Sequence, residues 1–579
     1  MRRQLSWLQG FCFFALLWAV YLIVNINNTS DDPKHNNLTE ENRLNQTLTD
    51  AFLDIAELHD NNTALSRRVI DLRKKLEYLR TQNSNKTGPK EPSEKYELLR
   101  RRIYSNTNEF WYYVNAELKL LVGEVKNLSC AQKMIKITDE HFRSLITDVA
   151  KLAEVDGHDQ WRQREHQYLS DLIERRLMYL QNPPDCSKAK KLACRFVSKN
   201  RCGFECRLHH LVDCMIVAYA TGRTMVMDDP QSWNFTSDEW NALFLPLSDT
   251  CESADGETVS PWPGDKSTQV VTLNLPMDNY DSHQKPPLFP QVLPEDLATR
   301  INVLHGDPVT WWKGQFLKYI FRARKSTVDK YNAYINRVKF QKPCVGVHIK
   351  QTDLIDADVT LHELSEYMYH VEKYYKLKEL NSSKLFERRI YLSTNEPEVF
   401  NIAKLKYPEY TIIGDPAMFR KTRTPENPID PDDSIMNAII DVHLLSLSDY
   451  LVCTFSSNAC RLAYEIMNGF RPSDASALFK PLGYTSQYYS NRKLHVAILP
   501  HSANGLEEMD LRVGDQIEVA GNRWGGFSKG TNIRTKQFLL YPTFKAIPKL
   551  QALHFATYPN VTMNSDALRV DVLKNNESN

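Results

Sequence analysis

Net charge of either sign is missing from this chain: across 579 residues, Lys+Arg 72 stand against Asp+Glu 71, a formal charge of +1. The global field that nonspecific nucleic-acid binding needs is therefore absent, and nucleic acid is not expected as a partner. Long apolar runs are missing too, save one. Leu5–Val24 is about the 20 residues that a helix needs to cross a bilayer. Its end, Ile23-Val24-Asn25, lacks the small-x-small pattern at which a signal peptide is cut, so the run reads as a retained anchor. Arg2 and Arg3 precede it and the polar stretch Asn25–Asp32 follows. That asymmetry keeps residues 1–4 cytoplasmic and puts everything after Val24 in the lumen, a single-pass type II topology.

Of the 11 cysteines, six cluster at Cys186, Cys194, Cys202, Cys206, Cys214 and Cys251, with a further pair at Cys453 and Cys460. This is the grouping expected of disulfides in an oxidising compartment, and N-x-Ser/Thr sequons such as Asn61, Asn234 and Asn381 agree with it. Cys202 and Cys206 followed by His209 and His210 could mimic a zinc site. Closed structural sites usually pair two tight ligand couples, so no metal is expected.

Leu44, Leu48, Ala51, Ile55, Leu58, Asn62, Leu65, Val69, Leu72, Leu76 and Leu79 follow alternating steps of three and four, a coiled-coil seam. Asn62 in that seam would fix register and strand number, and parallel dimerisation follows. Gln82–Ser93 has no apolar period and reads as a linker, so stem and linker occupy 25–93. Helical spacing over Tyr96–Leu121 and Asp139–Leu180 predicts two long helices within 94–183, the second ended by Asn182-Pro-Pro. Over 184–490, strand-like runs alternate with helical patterns: Thr224–Met227, Val270–Leu273, Val345–Ile349, Ile390–Ser393, Thr411–Ile413 and Leu451–Thr454. They imply an α/β fold with a mainly parallel, doubly wound sheet. Closely spaced short strands over 491–553 imply a small β-barrel, leaving 554–579 as a C-terminal tail.

In such a sheet, ligands bind beyond the carboxyl ends of the strands. One strand end, Cys344–Asp353, offers His348 and Lys350 on one side and Gly346 for close packing. A lone histidine or lysine has a bland explanation more often than not. A second segment, Tyr450–Arg461, reads as strand, tight turn and helix, with Ser456 and Ser457 where the helix starts and cysteines at either end of the turn. Free N–H groups and the positive dipole end could hold a diphosphate there. Simple capping by Ser457 or Asn458 is the alternative.

These segments, with Asp441-Val-His443, Thr394–Pro397, His305-Gly-Asp-Pro308, Trp311-Trp312 and Val519–Gly530, resemble the eukaryotic α-1,6-fucosyltransferases of N-glycan core fucosylation from about Glu94 to Leu550. The resemblance implies a GT-B-like catalytic region, an SH3-like C-terminal barrel and a Golgi location. It also implies inverting, metal-independent transfer of fucose from GDP-β-L-fucose to the 6-hydroxyl of the innermost N-acetylglucosamine of glycoprotein N-glycans. Nucleotide-sugar contacts would fall to His348, Lys350, Gln351, Asp441, Ser456 and Ser457, with Gly203 and Phe204 on the opposing loop. Acceptor contacts would fall to Asp353, Tyr367 and Arg523. The disulfides would be Cys186–Cys251, Cys194–Cys214, Cys202–Cys206 and Cys453–Cys460.

The chain departs from the family where charge matters. Two consecutive family arginines are Lys350 and Gln351, so a bidentate fork becomes a point charge and a neutral amide. The family lysine that follows is Leu354, and the family glutamate proposed as base aligns with Asp358, with Asp356 in reserve. An acidic pair becomes Asn395-Glu396, a loop glycine becomes Glu205, and a barrel histidine becomes Arg523. One expectation is an active enzyme in which Lys350 neutralises the leaving diphosphate and Asp358 deprotonates the acceptor. The other is a catalytically weakened paralogue that binds glycans or partners.

Overall fold

The computed structural model describes residues 91–124, 128–197, 202–228, 237–275, 292–349, 362–382, 384–394, 396–415, 418, 431–482, 494–522 and 525–561. The expected anchor and heptad stem lie outside them. Among the described residues, no helix is long and apolar enough to cross a membrane.

Three helices lead in: α1 (Glu94–Glu124), α2 (Leu128–Val155) and α3 (Asp159–Gln181). The first starts where the linker was expected to end, with Ser93 Oγ accepting from the Tyr96 N–H. The expected second helix is in fact two. It breaks at Asp156-Gly157, where the Asp156 carboxylate accepts the His158 N–H and draws the chain out of the helical ladder.

The first α/β half comprises β1 (Lys191–Phe196), α4 (Phe204–Thr221), β2 (Thr224–Met227), α5 (Ser237–Leu243), β3 (Val259–Pro261), β4 (Val270–Leu275), β5 (Val292–Pro294), α6 (Ala298–Leu304), α7 (Pro308–Ile320) and α8 (Lys325–Val338). Four of its strands form a parallel sheet in the order β2-β1-β4-β3. The second half follows with β6 (Cys344–Ile349), α9 (Leu364–Ser382), β7 (Arg389–Thr394), α10 (Pro397–Lys406), β8 (Thr411–Ile413), α11 (Pro431–Leu447), β9 (Tyr450–Thr454), α12 (Asn458–Phe470) and β10 (Phe479–Leu482). Its parallel sheet has the order β10-β9-β6-β7-β8. Every residue of β6 is buried, as a strand covered on both faces must be.

One apolar core runs through both halves, joining Leu192 and Leu273 of the first sheet to Leu451 of the second, with Trp311 and Trp312 between helices. The halves meet closely where α7 crosses α12: a Cβ on Gly469 would lie 2.2 Å from the Gly314 carbonyl oxygen. Only glycine at that crossing lets the two backbones touch. A separate core lies on the other face of the second sheet, around Val347, Tyr367, Val371 and Val452.

The C-terminal unit contains β11 (Leu494–Ala497), β12 (Gln516–Asn522), β13 (Phe527–Asn532), β14 (Phe538–Pro542) and β15 (Ala546–Pro548) as an antiparallel sheet in the order β14-β13-β12-β11-β15. Its small core contains Met509, Ile517 and Tyr541. The chain then returns to the first half. Strand β16 (Gln551–Leu553) pairs in parallel with β5, and Phe555 and Tyr558 enter the shared core, so part of the expected tail is structural.

Candidate functional site

The carboxyl ends of β6, β7 and β9 stand side by side, with His348 in register with Ser393 on one flank and with Cys453 on the other. Gly346, two residues before His348, lets the last turn of α11 close on the sheet, since a Cβ there would lie 2.8 Å from Ser448 Oγ. This close approach brings Asp441, on the same helix, over the strand ends.

A continuous hydrogen-bond chain results. Ser393 Oγ donates to Asp441 Oδ2 and Tyr391 Oη to Asp441 Oδ1, each at 2.7 Å. His348 Nδ1 is 2.7 Å from Ser393 Oγ, and His348 Nε2 is 2.8 Å from Ser457 Oγ. Ser457 is the N-cap of α12, its hydroxyl oxygen also accepting the Cys460 N–H. Capping and a site contact are thus combined in one side chain. The Cys453–Cys460 disulfide ties the start of that helix to the end of β9, and Ser456 lies half-buried beside it.

Burial lifts the Asp441 carboxyl to about 7 against the two hydrogen bonds it accepts, and repulsion from the Glu205 carboxylate adds to the rise. Glu205 lies in the first turn of α4, whose N-cap is Gly203, and Phe204 packs on the shared core. The Arg207 guanidinium lies over the Phe196 ring, 5.7 Å from its centroid.

Beneath the start of α12 is a charged layer that sequence reasoning missed. His209 sits 3.2 Å from Glu465 and 3.4 Å from the Asn458 carbonyl, Lys313 pairs with Asp213 at 3.3 Å, and Arg461 donates to the Phe455 carbonyl at 2.8 Å. Burial raises Asp213 to about 6 despite Lys313. The available signal was Asp213 within the apolar run Leu211–Ala220. Tyr391 and Ser393 were missed as well, although their i, i+2 spacing puts both on one face of β7.

All four disulfides implied by the resemblance are formed. Possible ligand atoms of Cys202, Cys206 and His210 lie within 4.8 Å of one another, but the Cys202–Cys206 bond consumes the two thiolates that zinc would need. Tyr367 is buried in the second core rather than held out on a surface. His305 is stacked on Trp311, 4.4 Å between ring centroids, and desolvation holds it far below the usual histidine range. Lys350, Gln351, Asp353, Leu354, Asp356, Asp358, Asn395 and Arg523 lie outside the described residues.

Comparison with known proteins gives the geometry its context. A family model described as "Alpha-(1,6)-fucosyltransferase N- and catalytic domains" matches residues 1–484. The alpha-(1,6)-fucosyltransferase of Drosophila melanogaster is 40% identical over 490 residues, 82% of this chain and 76% of the relative. That of Caenorhabditis elegans is 34% identical over 410 residues, 70% of this chain and 72% of the relative. Among solved structures, the fucosyltransferase NodZ from Bradyrhizobium matches at 14% identity over 47% of this chain and 92% of that chain, with a TM-score of 0.28, too slight a likeness to argue from. The class is therefore defined: this is a glycosyltransferase. Within that class, the chain belongs to the α-(1,6)-fucosyltransferase family.

Proposed function

We propose that the protein transfers fucose from GDP-β-L-fucose, in α-1,6 linkage, to the innermost N-acetylglucosamine of N-glycans, with inversion and without a metal. The observation that carries this reading is the chain Asp441–Ser393–His348–Ser457. It joins the ends of β6 and β7 and the helix α11 to the N-terminus of α12, where backbone N–H groups and the helix dipole favour a diphosphate. In this reading Lys350 neutralises the leaving GDP and Asp358 takes the proton of the attacking 6-hydroxyl. The two parallel sheets and the antiparallel C-terminal sheet are the GT-B-like pair and the SH3-like unit that this activity would use.

The protein is further read as a Golgi type II membrane protein, anchored by Leu5–Val24 and paired through its stem.

When the full chain is incubated with GDP-fucose and a biantennary N-glycan bearing exposed N-acetylglucosamine, the glycan should gain one fucose on its reducing-end residue by mass spectrometry. Glu205, whose carboxylate repels Asp441, favours a second reading as a weakened glycan-binding paralogue. GDP binding without transfer would support that one. The absence of both binding and transfer would overturn the first.

A further inference from the structure

We propose that Ser393 is a positioning residue: with Asp441 it forms a hydroxyl relay that sets the tautomer of His348, and through it decides whether Ser457 gives or takes a hydrogen bond at the nucleotide shelf. The inference rests on the GDP-binding reading above and concerns how that shelf is controlled.

The geometry admits two complete arrangements. With Asp441 ionised, Tyr391 and Ser393 both donate to it. Ser393 Oγ then accepts from His348 Nδ1–H, and His348 Nε2 accepts from the Ser457 hydroxyl, whose proton is tied up inside the protein. With Asp441 neutral, Oδ2–H donates to Ser393 and Ser393 donates to Nδ1. Nε2–H now donates to Ser457, and the Ser457 proton is released toward an anion at the start of α12. Passage between the two is balanced. One proton enters at Ser457 while the Ser457, Nδ1 and Ser393 protons each move one place along, so Asp441 alone is newly protonated and no other group changes its count.

The ionisable groups around Asp441 permit this change. Tyr391 on β7 and Tyr334 on α8 are both held protonated by burial, and the Glu205 carboxylate on α4 disfavours the charge on Asp441. His348 on β6 reaches Asp441 through Ser393. The four relay side chains are each at least nine-tenths buried, so bulk water does not short-circuit the path.

Imidazole 15N spectra of the full chain, with His348→Asn identifying the signal, should show His348 protonated at Nδ1 at about pH 8.5 and at Nε2 at about pH 5.5. Ser393→Thr should retain the switch, Ser393→Ala should abolish it, and Asp441→Asn should hold the Nε2–H form throughout. GDP titrations at about pH 6 and 8 should give a ratio of dissociation constants that differs between wild type and Ser393→Ala by about tenfold, the worth of one hydrogen bond to a charged group. One unchanging tautomer, or a switch that survives in Ser393→Ala, overturns the relay. Equal GDP ratios in the two proteins overturn its role at the shelf. Absence of GDP binding in wild type overturns the donor reading and with it the relay's purpose, while the spectra still decide whether the relay exists.

Discussion

Ser457 caps α12 and holds His348, and the two duties separate in energy. Removing the cap costs about 1 kcal/mol, and leaving the buried His348 Nε2 without its partner adds about 1–3 kcal/mol. Ser457→Ala should therefore lower unfolding free energy by about 2–4 kcal/mol in a denaturant titration. A loss of only the capping term would mean that the His348 contact contributes nothing. Asp441 supplies a pH signature. Its carboxyl binds a proton more tightly folded than unfolded, so its contribution to stability is full below the usual carboxylate range and is lost as pH rises through about 7. Asp441→Asn should flatten the fall in Tm between about pH 5 and 8, leaving a remainder of the same sign from Asp213. Glu205→Gln should move the midpoint to lower pH by removing the repulsion, and an unmoved midpoint would refute that coupling. His348 and Ser457 were legible because strand ends and helix starts are where an α/β sheet binds ligands. Ser393 was not, because a serine ending a strand is commonplace until its register partner is known to be a histidine.

At the scale of elements, the turn from β9 into α12 depends on its staple. A disulfide spanning seven residues restricts the unfolded chain by about 2 kcal/mol in the loop-entropy account. Replacing Cys453 and Cys460 together by serine should cost about that much in denaturant and weaken GDP binding, because the helix start is no longer tied to the strand end. Wild-type GDP affinity in the double variant would show that the staple serves stability alone. A different device joins α1 to the α2–α3 break. Glu97, 1% exposed, accepts from Arg162 Nη2 at 2.7 Å and from Arg100 Nη2 at 2.9 Å, and Arg162 also binds Asp156. Arg162→Met leaves Asp156 without its cation and Glu97 with Arg100 alone, and should destabilise by about 3 kcal/mol, measured by thermal or chemical unfolding. Six strands read from apolar runs appear at or within two residues of their expected bounds. Strand β1 escaped notice because its sequence, Lys191-Leu-Ala-Cys-Arg-Phe196, is interrupted by charge; Lys191 is nevertheless buried, its Nζ donating to the Asp255 carbonyl at 2.7 Å. The α2–α3 break escaped because apolar spacing persists across it while a single carboxylate does the interrupting.

For the whole molecule, the informative segment is the return of the chain after the C-terminal sheet. Composition gave no reason to separate residues 551–561 from a tail, since strands as short as β5 and β16 carry no periodic signal and their pairing spans more than half the catalytic region. The structure makes them a strap. The Ala556 N–H donates to the Ala220 carbonyl at 2.8 Å, the Tyr558 hydroxyl reaches the Tyr219 carbonyl, and Phe555 lies 6.3 Å from Tyr219 and 6.4 Å from Trp312 between ring centroids. Because the strap enters the core shared by both halves, it couples the C-terminal sheet to the stability of the transferase fold. Phe555→Ala should cost about 3–5 kcal/mol, as for a buried aromatic elsewhere in a core. Conservative Tyr558→Phe removes only one hydrogen bond and should cost about 1 kcal/mol. If the C-terminal sheet were an independent module, Phe555→Ala would leave the main unfolding transition in place and shift at most a minor one. A strap integral to the core requires instead that the main transition move, by calorimetry, in proportion to the two losses.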